Sequence, residues 1–273
     1  MNRRILAWRL VSAGALAAAA LTLYGCTGMI EQPTALPARN SIVFDQLTIY
    51  SNFALPRHHR LLDDLRVQRG ELLSKLNLPP SDEPIHVYLF ETEEKFDNFL
   101  SANHPEFPQR RAFFVESDMR LAVYAQWGER VAEDLRHEVT HGYLHSIIRN
   151  MPLWLDEGIA EYFEVPRGTG GVNRPHEQLL LTRMQQQGWR PNLPRLEQLN
   201  SAGSMTQDDY AESWAWAHWL LETDPRRRML LQQYLQALRS NGSAMPLSLA
   251  LRQSEPGADQ LLVEHLYTLA PRP

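Results

Sequence analysis

A single cysteine, Cys26, occurs in 273 residues, so no intramolecular disulfide can staple this chain and its fold rests on its core. Lysine is nearly missing: the 27 basic residues are Lys75, Lys95 and 25 arginines. No apolar run approaches the roughly 20 residues that a membrane-spanning helix needs, which excludes a polytopic membrane protein. The 14 Gly and 18 Pro are too few for a collagenous or low-complexity chain, and 44% hydrophobic with 22% charged residues is an ordinary globular balance. A basic surplus is absent as well. Net charge is −5, and residues 1–25 hold three Arg and no acid, so the remainder has 24 basic against 32 acidic groups. No face rich enough in cations to neutralise phosphates is expected, hence no nucleic-acid partner. The length suits one large domain or two small ones.

The N-terminus reads as a targeting segment. Arg3 and Arg4 precede an Ala- and Leu-rich run from Leu10 to Leu23, the charged-then-apolar order of a secretory signal and short for a span. Leu23-Tyr24-Gly25-Cys26 follows directly. Thr27, Gly28 and Pro-containing polar sequence come next, a poor setting for a buried structural thiol. The leader and this tetrapeptide resemble the bacterial lipoprotein signal, which implies cleavage before Cys26, lipid on Cys26 and a membrane-anchored place in the bacterial cell envelope, at the periplasmic face or outer membrane. The expected organisation is a signal peptide over 1–25, a tether over 26–40 and one folded domain over 41–273.

Within that domain, Ser41 to Ser51 is rich in β-branched and aromatic residues and predicts a strand. Leu61, Leu62, Leu65, Leu72, Leu73 and Leu76 recur at helical spacing over 58–76, and Pro79-Pro80 stops that helix. Residues 85–90 (IHVYLF) predict a short buried strand, and 92–101 a helix with Phe96, Phe99 and Leu100 on one face. Two β-rich runs, 112–115 and 120–125, predict a hairpin. From Glu129 the pattern is helical, broken by a Gly/Pro-rich loop at 166–175, with helices at 177–187, 208–223, 225–239 and 257–269. The fold class is therefore α+β: a small mixed α/β half over 41–128 with an edge hairpin, then a mainly helical half over 129–273.

The junction of the halves carries His137-Glu138-Val139-Thr140-His141, an H-E-x-x-H. On a helix the two imidazoles stand one turn apart on one face and can reach a single metal ion. Glu138 projects beside them, where a carboxylate can take a proton from the water such a site activates. Leu135, Val139 and Leu144 would pack the helix on the body. A hydrolytic zinc site usually has a third protein ligand. Downstream lies Trp154-Leu155-Asp156-Glu157-Gly158-Ile159-Ala160-Glu161-Tyr162, after a break at Pro152, so a second helix would return antiparallel with Glu157 near its start. Glu161 follows one turn later on the same face.

HEVTH followed by WLDEGIAEY resembles the gluzincin zinc metallopeptidases, the clan of thermolysin and aminopeptidase N, over Arg136 to Tyr162. The resemblance implies a zincin-like fold, zinc held by His137, His141 and Glu157, and Glu138 as general base and acid. It also implies that Glu161 holds a ligand histidine by its other ring nitrogen. The same family often supplies an oxyanion donor from the helical half, where Tyr210 is the candidate and His218 the reserve. It also pairs extended substrate with an edge strand, here the 112–125 hairpin.

His145 continues the line of histidines, but eight residues of straight helix place it about 12 Å from His137 along the axis, too far to share one ion. His58, His59, His86, His104, His176 and His265 have no partners at ligand spacing and read as structural or solvated. Asp63-Asp64 and Asp208-Asp209 read as solvated faces. The expectation is a lipid-anchored zinc metallopeptidase acting on peptides or proteins. Two non-enzymatic readings stand beside it: a lipoprotein that keeps zinc for stability or display, and a metal-free envelope binding module using the Trp-rich helices.

Overall fold

Strands β1 (Asn40–Phe44), β2 (Leu47–Ser51), β3 (Ile85–Phe90), β4 (Ala112–Ser117) and β5 (Arg120–Gln126) form one sheet in the order β1-β2-β3-β5-β4. The structure is a computed structural model that describes residues 35–105, 107 and 109–270, within the unit Pro33–Pro273. The leader, Cys26 and the tether up to residue 34 lie outside the described residues. No described helix is long and apolar enough to cross a membrane.

β2, β3 and β5 run parallel, and antiparallel β1 and β4 close the two edges. The strand expected over 41–51 is in fact two. Phe44 faces Leu47 across a two-residue turn in which Asp45 takes φ 55°. Asp tolerates that left-handed conformation, so the turn forms without the glycine that usually announces it. The end of the expected tether belongs to the fold: Leu36 packs on the sheet, and the backbone amides of Ala38 and Arg39 donate to Asn52 Oδ1 at 3.1 and 3.4 Å.

Side-chain alternation splits the sheet between two apolar clusters. Ile85, Val87, Leu89, Leu121, Val123 and Ala125 face one side, together with α1 (Arg60–Leu76) and α3 (Val131–His145). Tyr88, Phe90, Ala122 and Tyr124 face the other, covered by α2 (Glu93–Asn103) through Phe96, Phe99 and Leu100. With both faces covered, the strands read as near-continuous apolar runs, as buried parallel strands do.

The helical half continues through α4 (Leu153–Glu164), α5 (Arg174–Gln187), the short α6 (Leu193–Leu196), α7 (Gln207–Glu222), α8 (Pro225–Asn241), α9 (Leu247–Ser254) and α10 (Ala258–Leu269). Residues 211–221 of α7 are all buried, with Trp214, Trp216 and Trp219 at the centre, as expected of a helix enclosed on every side. Its start is set by a capping box: Thr206 Oγ1 accepts from Asp209 N, and Asp209 Oδ2 accepts from Thr206 N. α4 crosses α7 closely at Gly158, where a Cβ would stand 2.4 Å from Ser213 O. The architecture is thus mixed α/β, an N-terminal sheet with its helices followed by a helical half.

Candidate metal centre and its cleft

The buried face of α3 carries Leu135, Val139 and Leu144. Gly142 lets it approach β3, since a Cβ there would meet the Ile85 side chain at 3.0 Å. Packing that face inward turns His137, His141 and His145, spaced by one turn, to another side of the helix. α3 ends at His145 with Ser146 as its C-cap, and Pro152, with φ −61°, stands at the N-cap of α4. The two helices then meet in opposite order: His137 near the end of α4, His141 and His145 near its start.

Three side-chain atoms converge between them. His137 Nε2 and His141 Nε2 lie 3.2 Å apart, and Glu157 Oε2 lies 3.5 Å from the first and 3.7 Å from the second. A tetrahedral ion with bonds of roughly 2.0–2.2 Å separates its donors by about 3.3–3.6 Å, so the triangle has the dimensions of one face of such a site. Two imidazole nitrogens and a carboxylate oxygen are also the donor chemistry that suits zinc. Buried His, Glu and Asp side chains here could hold a metal ion, and His137, His141 and Glu157 are one of three such groups among the described residues, beside His141, His145 and Asp156 and beside His137, Glu161 and Glu164.

Each histidine is gripped from behind. Glu164 Oε2 lies 3.1 Å from His137 Nδ1. Asp156 Oδ2 stands 3.0 Å from His141 Nδ1, outside ideal hydrogen-bond geometry, and 3.0 Å from His145 Nε2, with which it is hydrogen-bonded. His145 Nδ1 in turn meets Glu116 Oε2 at 2.7 Å, at the far end of β4. His145 is thus outside the triangle, as its axial distance requires. The part expected of Glu161 is taken by Glu164. Glu161 Oε2 instead pairs with His176 Nε2 at 2.8 Å and accepts from Asn173 Nδ2 at 3.3 Å. His176, read as structural or solvated, is therefore a buried partner in this cluster. Glu157, Glu161 and Glu164 fall at i, i+4 and i+7, so the signal for Glu164 was in the sequence: three carboxylates on one helical face.

These contacts fix the charges. Burial opposes a charge on His137, but Glu157, Glu164, Glu138 and Glu161 outweigh it and hold the ring well above its ordinary value. Burial likewise works against Asp156, yet His141 and His145 hold its carboxyl far below the usual range. Glu138 is different. Burial pushes its carboxyl up, opposed by His137 and His141. A divalent charge beside it would act with the histidines.

A cleft of about 900 Å³ opens over the triangle. Glu138 lines it, as do Ala112 and Phe114 of edge strand β4 and Arg110 just before that strand. Phe114 stacks on His141 with centroids 5.9 Å apart. Tyr210, on the first turn of α7, lines the cleft too. Burial, with the charge of Glu157, pushes its hydroxyl up to about 12, so it keeps its proton and stays a donor. His218 does not line the cleft: it is buried on α7 with Nδ1 2.9 Å from His265 Nε2. His59 caps α1 by accepting from Leu61 N, His86 meets Tyr50 Oη at 3.4 Å, His104 stacks on Phe107, and His58 is exposed. The acidic pairs are only partly solvated. Asp64 holds Arg136 and Arg167, and buried Asp209 holds Arg195 at 2.6 Å.

A second cavity, about 810 Å³, lies beside α1 and the 165–171 segment. Its cations are engaged elsewhere, Lys75 with Glu222 and both Arg136 and Arg167 with Asp64, and none of the converging His or Glu side chains lines it.

Comparison with known proteins locates the similarity on this half. A family described as a protein of unknown function (DUF1570) matches residues 131–243, from the first residue of α3 to just beyond α8. The triangle, Glu138 and Tyr210 all fall inside it. No curated protein matches the chain.

Proposed function

We propose that this chain is a zinc-dependent metallopeptidase of the bacterial cell envelope, anchored by lipid on Cys26 and acting on peptides or proteins. The observation that carries the reading is the His137–His141–Glu157 triangle of 3.2, 3.5 and 3.7 Å, with Glu138 beside it and no hydrogen-bond partner among the described residues. A site kept for stability alone has no use for that carboxylate. Zinc bound there supplies Lewis-acid polarisation of a carbonyl and eases deprotonation of water.

The chain's own residues do the rest. β4 pairs with β5 on one side, and its other edge borders the cleft, where extended substrate can add as a strand. Glu138 takes a proton as water adds to the scissile carbonyl carbon. It returns that proton to the nitrogen as the C–N bond breaks, so one carboxylate serves as base and then acid. The Tyr210 hydroxyl is the candidate donor to the oxygen on which charge develops.

The test is Glu138→Gln, which keeps size and hydrogen bonding while removing basicity. Zinc stoichiometry and melting temperature should stay at wild-type values, and peptide hydrolysis should fall about 10²–10⁴-fold. Full zinc with undiminished hydrolysis removes Glu138 from the mechanism. A wild type that binds zinc and hydrolyses nothing in a broad peptide library favours the non-enzymatic zinc lipoprotein.

A further inference from the structure

Seven acidic side chains line the cleft: Glu133, Asp134, Glu138, Asp156, Glu157, Glu161 and Glu164. Several of them are already paired: Asp134 with Arg111, Asp156 with His145, Glu161 with His176 and Glu164 with His137. Two arginines line the same cleft, Arg110 and Arg111. Arg111 is committed, because its Nε donates to both oxygens of Asp134 at 3.1 and 2.9 Å and a terminal nitrogen adds 2.6 Å. Arg110 is not. It forms no hydrogen bond or ion pair among the described residues, and its guanidinium has only the Phe107 ring beneath it, 6.0 Å away. Its charge is nevertheless felt at Glu138 and at Tyr210, both of which line the cleft.

We propose that Arg110 binds a carboxylate of the substrate and so sets the specificity of the cleft. This rests on the peptidase reading. Arg110 sits at the head of β4, one residue before the committed Arg111, so a peptide lying along the β4 edge passes its fork. A guanidinium is suited to grip a carboxylate through two parallel N–H donors. The ligand chemistry is a carboxylate from either of two sources, an internal Asp or Glu side chain or the free C-terminus.

Four peptides on one sequence separate these sources: internal Glu or Gln, each ending in a free carboxylate or an amide. The series is built on the best-bound member of a peptide library. Hydrolysis is measured with zinc-loaded full-length wild type, Arg110→Gln and Arg110→Glu, and binding by fluorescence anisotropy on Glu138→Gln, which holds peptide without cleaving it. At least one carboxylate should be preferred by roughly tenfold, in KM and in Kd rather than in kcat, and salt should weaken the preference. Arg110→Gln should abolish it and Arg110→Glu should invert it, with unchanged melting temperature. The Glu/Gln pair reports a side-chain carboxylate and the acid/amide pair a C-terminus. Equal binding of all four peptides, or a preference that survives Arg110→Gln, overturns the proposal. So does a shifted pH profile common to all four at constant ratio, which would make Arg110 a neighbour that tunes Glu138. Carboxylate-dependent binding through Arg110 without any hydrolysis would retain this site and remove the peptidase reading.

Discussion

Glu164 Oε2 lies 3.1 Å from His137 Nδ1 while Glu157 Oε2 lies 3.5 Å from Nε2 of the same ring, so two carboxylates of α4, two turns apart, flank one imidazole at its two nitrogens. The pair fixes the ring's orientation and directs Nε2 into the triangle. It also makes α4 responsible for more of the site than its single candidate ligand.

Zinc content should follow this division. His137→Ala, His141→Ala and Glu157→Ala should each empty the site. Glu164→Gln should weaken zinc affinity about 10–100-fold, and more than Glu161→Gln does. His145→Ala should leave one zinc per chain. Chelator competition on the purified variants measures all of these. A site emptied by His145→Ala and kept full in Glu157→Ala would reverse the ligand assignment.

Gly158 should be intolerant of any side chain. Its Cβ would press on the Ser213 carbonyl at 2.4 Å, and backbone on α7 cannot rotate away as a side chain can. Gly158→Ala should cost about 1–3 kcal/mol, read from urea unfolding, despite the better helix propensity of alanine. An unchanged unfolding midpoint would show that α4 and α7 are not in such contact.

Acid should weaken the helical half through His218 and His265. Burial lowers both, aided by the charge each has nearby, His265 for the first and Arg227 for the second, and each titrates at about 4 in the fold. An unfolded chain titrates them near 6.5, so below that value it binds more protons than the fold does. The stability of the neutral pair is complete above about pH 6.5 and is lost as pH falls toward about 4. Melting temperatures of wild type and His265→Gln should therefore converge on acidification across that window. A gap between the two curves that does not change with pH would contradict it.

Cys26 should be the first residue of the mature protein and should carry lipid. Cys26→Ser should abolish incorporation of labelled fatty acid and release the protein from membranes. Label retained in that variant would refute the lipoprotein reading.

The shared face of His137 and His141 was legible in the sequence because the two stand four residues apart on one helix, and Glu157 because a second helix follows shortly after. The order of elements was legible because amphipathic helices keep a helical period and strands buried on both faces read as short continuous apolar runs. The turn at Asp45 left no such trace, because an aspartate in a left-handed conformation looks like any other residue in a strand. Which carboxylate grips His137 was a matter of tertiary structure. Glu161 and Glu164 share a helical face, and only the antiparallel pairing of α4 with α3, drawn to α7 at Gly158, sets Glu164 at the ring and Glu161 at His176. The standing of Arg110 was decided in the same way. Two adjacent arginines are equivalent as sequence, but Asp134 on α3 captures one of them and leaves its neighbour at the head of the edge strand, facing the cleft with its charge unspent.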